Sequence, residues 1–274
     1  MHSRLKGAMF AGAAAALVIA FLFGVLSSTS QIAAYRAPRT ADGKPDLNGI
    51  WQALNTANWD IQDHPARMGP VVELGAAFSV PGGQGVVDGN EIPYLPEAAA
   101  KKKENAEKWL SSDPEIKCYL PGVPRATYMP YPFQIFQTHD SILIAYEFAG
   151  ATRTIYMNTD KKSPSDTWMG WSVGHWEGDT LVVDVTSFND QTWFDRAGNF
   201  HSDSLHVVER YTPISPDALD YEVTIEDPKV FSRPWKMRMP LHRRLEKNAQ
   251  VLEYQCVEFV EPLLYGDLRK QPDK

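Results

Sequence analysis

The chain has 274 residues, a formal net charge of -7 at pH 7 and 43% hydrophobic residues. That length suits one large domain or two small ones behind a leader. The acid excess and the lack of a broad basic stretch argue against nucleic acid as a partner.

Residues 1–34 open with Arg4 and Lys6, run uncharged from 7 to 26 and continue through Ser27, Ser28, Thr29 and Ser30. A basic start, an apolar centre and small polar residues make an export signal. The run exceeds the roughly 7–15 residues of a cleaved signal and approaches the roughly 20 that span a bilayer. Two outcomes stay open: a cleaved signal peptide, or a membrane anchor through residues 7–26. Either places the body outside the cytoplasm, periplasmic or secreted, or held at the inner membrane. Cys118 and Cys256 are the only cysteines. In an oxidising compartment such a pair is expected to form a disulfide.

Residues 35–47 are polar, carry two prolines and read as a linker into a single domain over 48–274. Residues 69–96 are rich in Gly and Pro and predict a long loop over the surface. Residues 96–110 predict a helix. Pro96 suits the first turn, Glu97 the positive end of the dipole, and Ala, Lys and Glu favour helix. Its apolar stripe (Ala99, Ala106, Trp109, Leu110) is narrow, so the helix is expected to lie on the surface, with Lys101, Lys102 and Lys103 on a solvated face.

From Pro132 the pattern turns to short strands: 133–138, 141–148, 153–157, 167–175, 180–186, 204–211, 219–226, 235–241 and 250–257. Turn signals separate them at His139-Asp140, Glu177-Gly178-Asp179, Ala197-Gly198-Asn199 and Ser215-Pro216-Asp217. Strands joined by tight turns without helices make antiparallel sheets, and this number is enough for a barrel or sandwich. Gly49-Ile50-Trp51 favours a barrel, because in lipocalin-like barrels a Trp in that context seals the closed end. The expected fold is all-β and mainly antiparallel: a lipocalin-like β-barrel with one surface helix and a long Gly/Pro-rich N-terminal loop.

The stretches PDLNGIW, CYLPGVPR, PYPFQIFQT, GWSVGHWEGDTLVVDVTSFND, TWFDRAGNFHSDSLHVVERY, YEVTIEDPKVFSRPW and LEYQC resemble a largely uncharacterised family of exported bacterial β-rich proteins. The resemblance runs from about Pro45 to Gly266. It implies an exported β-rich domain and carries no activity with it. The family has a basic residue before WEGDT where this chain has His175, which argues against an essential role there.

Chemistry concentrates in residues 189–211, where Asp190, Asp195, His201, Asp203, His206, Glu209 and Arg210 surround Trp193, Phe194 and Phe200. If 204–211 is a strand, His206, Val208 and Arg210 share one face, and Leu205, Val207, Glu209 and Tyr211 the other. His201 and Asp203 then sit in a rim loop, with His206 just inside the mouth. A His near neutral pKa suits proton transfer, and Asp203 or Asp195 would orient it. The alternative is a polar turn with each His bonded for structural reasons. A metal on His201, Asp203 and His206 is disfavoured: the spacing matches no standard motif, and an extended chain points the two His apart.

Gly170-Trp171-Ser172-Val173-Gly174 matches the nucleophile elbow of serine hydrolases, but the helix that must follow is replaced by a β-hairpin. Arg125, Tyr128, Tyr131 and Arg153 are further polar candidates, with Arg125 either holding a carboxylate or phosphate or pinning a loop. Asp184 points into the lumen or to solvent. Trp171 and Trp193 would line a lumen suited to a small apolar or aromatic molecule. Dinucleotide and phosphate-loop motifs are absent, so no organic cofactor is expected. Two functions follow as expectations. One is a cofactor-independent enzyme using His206, His201, Asp203 and Asp195 for lyase, isomerase or hydrolase chemistry. In it Arg125, Tyr131, Arg153, Trp171, Trp193 and Asp184 would hold substrate. The other is a lipocalin-like binding protein without catalysis.

Overall fold

Alternation of apolar and polar residues builds a closed barrel in chain order: β1 (Gly49–Ala53), β2 (Phe133–Gln137), β3 (Ser141–Tyr146), β4 (Thr152–Met157), β5 (Trp171–Glu177), β6 (Thr180–Thr186), β7 (His206–Ser215), β8 (Ala218–Glu226) and β9 (Trp235–Arg243). The computed structural model describes residues 35–69 and 79–258. The expected signal or anchor over 1–34 lies outside the described residues, as do 70–78 of the Gly/Pro-rich loop and the end of the domain from 259. Among the described residues no helix is long and apolar enough to cross a membrane.

Every neighbouring pair is antiparallel except β4 and β5, which run parallel. An odd number of strands cannot alternate direction all the way round a closed ring, so nine strands require one parallel pair. A parallel pair needs a crossover of about a dozen residues or more. Here residues 158–170 supply it, and β5 therefore starts later than the strand expected from residue 167. The expected strand at 250–257 is irregular coil, and β1 takes the ninth place. A disulfide joins Cys118 to Cys256, with Cα atoms 5.7 Å apart, and ties this coil to the long connection between β1 and β2. It fits an oxidising, exported environment.

The inward positions are filled by side chains. Ile144, Val183, Tyr211, Tyr221, Val223 and Met237 are each 1% exposed or less. Small barrels pack this way, as a core rather than a pore. The lumen expected to hold an apolar ligand is therefore occupied by the protein's own residues. One end is sealed by residues 37–48, which are packed rather than a free linker. Leu47 is buried, Arg39 bridges Pro45, and the Trp51 indole donates to the Leu47 carbonyl at 2.9 Å. The Arg243 guanidinium lies 4.1 Å over the Trp51 ring and donates to the Asn48 carbonyl at 2.7 Å. Gly49 permits this approach: at φ +139° a Cβ there would stand 2.1 Å from Arg243 Nη1.

The opposite end carries the long connections. They hold α1 (Pro96–Glu107), α2 (Trp109–Ser112), the buried α3 (Arg125–Tyr128) and the loop before β7. α1 is the expected helix, with Pro96 in its first turn and Glu97 beside it, and it stops at Lys108.

Candidate functional site

Within residues 189–205 the chain folds back on itself. Trp193 pairs with Phe200 in an antiparallel bridge, and the Phe194 amide donates to the Asn199 carbonyl at 2.7 Å. Directly paired residues project to one face, so the Trp193 and Phe200 side chains lie on the same side of the hairpin. It is clamped from below. The buried Asp195 carboxylate accepts from the Ile61 amide at 2.9 Å, the Asn199 amide at 3.1 Å and the Asn199 side chain at 2.6 Å. Burial, and then the neighbouring Asp60 charge, push the Asp195 carboxyl up to about 7 against the pull of those N–H groups. Tyr94 stacks on Phe200 at 6.2 Å and donates to Asn199 Oδ1 at 2.8 Å, and Tyr128 donates to the Phe194 carbonyl at 2.8 Å. Arg196 lies over Trp59 and Trp109, at 4.4 and 5.1 Å, and bonds Glu115.

Helix α1 rests on the turn of this hairpin. Gly198 has φ +86°, and a Cβ there would lie 2.6 Å from both the Ala106 amide nitrogen and the Lys102 carbonyl oxygen. Asn105 donates to the Gly198 carbonyl at 3.3 Å. Gly198→Ala is expected to lift the helix and cost about 1–3 kcal/mol. Urea denaturation reads this, and an unchanged midpoint would mean that the helix does not depend on the turn.

Between helix and hairpin opens a cleft of about 540 Å³. Lys101, Glu104 and Lys108 form its helix wall, and Trp193, Phe200 and His201 line the hairpin side, with Asp190, Asp203 and Lys229 beside them. His201 is buried between the rings of Phe188 and Phe194, with centroids at 5.8 and 5.5 Å. Its Nδ1 donates to the Ser202 carbonyl at 2.8 Å, so Nε2 accepts from the Thr192 hydroxyl at 2.6 Å. Burial lowers its pKa, which keeps the imidazole neutral at pH 7. Asp203 is exposed at the rim and pairs with Lys229 Nζ at 2.5 Å, which lowers its pKa.

The four expected catalytic groups do not converge. Among the described residues none of His206, His201, Asp203 and Asp195 is hydrogen-bonded to another. His206 lies on the outer face of the barrel, not inside the mouth, because Val207, Glu209 and Tyr211 take the inward positions of β7. Its Nε2 meets Asp184 at 2.8 Å and its Nδ1 meets Glu226 at 3.3 Å, on the two neighbouring strands. Asp184 is thus a solvent-side residue. Burial works to lower the His206 pKa, but the two carboxylates outweigh it and raise it. A raised imidazole pKa contributes stability that is complete below its unfolded value of about 6.5 and is lost as pH rises through the folded value. His206→Gln is therefore expected to cost more stability near pH 5.5 than near pH 8.5, by less than ~1 kcal/mol because the group is partly exposed. Equal urea midpoint differences at both pH values would contradict this.

The expected substrate contacts are also redistributed. Arg125 is buried and fully engaged: it reaches Asp113 at 2.8 and 3.0 Å, Glu115 at 2.8 Å and Asn58 at 2.9 Å. Burial works to lower its pKa, and the two carboxylates raise it instead. It pins the loops rather than facing a ligand. Arg153 points into the barrel core and pairs with Glu209. Ser172 also faces inward, as the second residue of β5, and accepts from Arg153 Nε at 3.0 Å. Tyr131 packs on Phe148 and Tyr254 at 5.8 and 4.9 Å. Trp171 sits on the outer face, stacked on Tyr156 at 4.6 Å and donating to the Lys161 carbonyl at 2.9 Å. Trp193 alone of these six reaches the cleft. Lys101, Lys108 and Lys229 were not singled out as site residues by sequence reasoning. The spacing of Lys101, Glu104 and Lys108 along the helix is visible in the sequence, but the surface opposite them, with Lys229, is not.

The fold defines the class: a closed nine-stranded mixed β-barrel with a helix-and-hairpin cleft at one end. No model of a known protein family matches the chain, and no curated protein matches it either.

Proposed function

We propose that this is an exported small-molecule-binding barrel that holds its ligand in the outer cleft, not in the lumen. The observation that carries the reading is the paired Trp193 and Phe200, two half-buried aromatic side chains on a hairpin held from behind, both lining a cleft of about 540 Å³. Concave sites of roughly 300–1,000 Å³ are what small ligands occupy, and here two aromatic rings sit among polar and charged side chains. The signal-like N-terminus and the disulfide support an extracytoplasmic location, periplasmic or secreted. Residues 7–26 act there as a cleaved signal or a membrane anchor.

The neutral fluorescent probe N-phenyl-1-naphthylamine tests this. Saturable one-to-one binding is expected, with Trp193→Ala weakening it by about tenfold, the equivalent of one lost ring contact. Equal binding by wild type and Trp193→Ala, or none by either, would count against the cleft.

Catalysis is a second reading, favoured by one observation. The Thr192 hydroxyl donates to a neutral imidazole at 2.6 Å, the arrangement that activates a nucleophile. Thr192 and His201 are only 2% and 3% exposed, so reaction at the hydroxyl would require the cleft floor to open.

A further inference from the structure

The two walls of the cleft carry opposite charge. On the helix wall Lys101 and Lys108 share one carboxylate, Glu104, at 3.4 and 3.1 Å. On the other side stand Asp190 and Asp203 with a single ammonium, Lys229, which pairs with Asp203 alone among the described residues. Lys229 bonds Asp203 at 2.5 Å, and Asp190 is bonded by the Gln191 side chain at 2.6 Å. Among the described residues no ion pair crosses the cleft. The walls are joined instead at the Gly198 turn, where Asn105 donates to the backbone.

A cleft with a surplus of positive charge on one wall, a surplus of negative charge on the other and aromatic rings between them selects a particular ligand. The ligand must present an anion and a cation at separated points, with a flat apolar body between. A ligand with one charge meets its match on one wall and repulsion on the other. A free amino acid carries both charges on one carbon and does not separate them.

We infer that the cleft binds a short peptide with free termini and an aromatic side chain, an inference that rests on the small-molecule-binding reading. The terminal carboxylate lies toward Lys101 and Lys108. The terminal ammonium lies toward Asp190 and Asp203. The aromatic side chain stacks on Trp193 and Phe200. Because the wall charges are exposed, each terminal contact is modest and weakens with added salt.

The test uses the tripeptide phenylalanyl-glycyl-phenylalanine and its N-acetyl, C-amide and doubly blocked forms. These are titrated calorimetrically against the full chain, in detergent if the N-terminal segment is retained. Blocking either end is expected to weaken binding roughly three- to fivefold, the scale of one exposed ion pair. In Lys101→Ala/Lys108→Ala the free acid and the amide should bind alike. In Asp190→Asn the penalty for N-acetylation should shrink. Blocked peptides that bind as well as the free one would overturn the inference, as would a charge preference that survives both variants. Absence of binding by all four peptides would overturn it too. In that case Trp193-dependent binding of N-phenyl-1-naphthylamine would leave the small-molecule reading standing, and its loss would remove both.

Discussion

Glu209→Ala is expected to lower the unfolding free energy by about 3–5 kcal/mol, the usual cost of removing one partner of a buried ion pair. Arg153 and Glu209 face each other inside the barrel with side chains 1% and 0% exposed. Glu209 also accepts from the Tyr211 and Tyr221 hydroxyls at 2.9 and 2.6 Å, and Arg153 from its other edge bonds Ser172 at 3.0 Å. The network thus ties β4 and β5, the parallel pair, to β7 and β8. Truncating Glu209 leaves a guanidinium without its counter-charge and two phenols without an acceptor. Each such group costs its full desolvation. The pair itself need not be strongly stabilising. Arg153→Met/Glu209→Leu is therefore expected to be less damaging than Glu209→Ala: both phenols still lose their acceptor, but no buried charge is left unpaired. Urea denaturation of the wild type and the two variants decides. A loss under ~1 kcal/mol in Glu209→Ala would show that the network contributes little to holding the barrel.

Breaking the disulfide is the second large effect. Cys118 and Cys256 are 138 residues apart in sequence. Closing a loop of that size restricts the unfolded chain strongly, and native bridges typically contribute about 2–4 kcal/mol. The bridge also holds residues 250–257, which have no strand partner among the described residues and expose Leu252 and Val257. Cys256→Ser is expected to lower stability by about that amount. Adding a reductant should lower the melting temperature of the wild type and leave that of Cys256→Ser unmoved. A wild-type melting temperature insensitive to complete reduction would contradict the assignment of a stabilising role.

The barrel is legible in the sequence because eight strands carry β-branched and aromatic alternation bounded by turn residues, from Phe133 in β2 to Trp235 at the start of β9. β1 is only five residues long and reads as a motif rather than a strand. Residues 250–257 alternate like a strand, but no neighbour has an open edge for them once β9 pairs with β1. The facing of β7 is the instructive failure. Both faces carry a charged residue, Arg210 on one and Glu209 on the other. The partner that makes Glu209 an interior residue, Arg153, lies 56 positions earlier. Without it, a His is the better candidate for the interior than an acid. The apolar company of Glu209 (Leu205, Val207 and Tyr211) was the signal that pointed the right way.

The site was half legible. Proton carriers and aromatics in 189–211 mark the hairpin, and Ala197-Gly198-Asn199 marks its turn. Sequence does not show that Gly198 is a seat for α1, since that contact spans 93 positions. Nor does it show that Asp195 and His201 are consumed by neighbours such as Ile61 and Thr192. Clusters of titratable residues mark both sites and buried structural networks, and only geometry separates the two.

The most direct test of outer-cleft binding is amide hydrogen exchange with and without saturating N-phenyl-1-naphthylamine. Added protection is expected in α1 and in residues 189–205, with the barrel strands unchanged. Protection spread over β3, β7 and β8, with none at the hairpin, would place the ligand in the barrel interior and contradict the account.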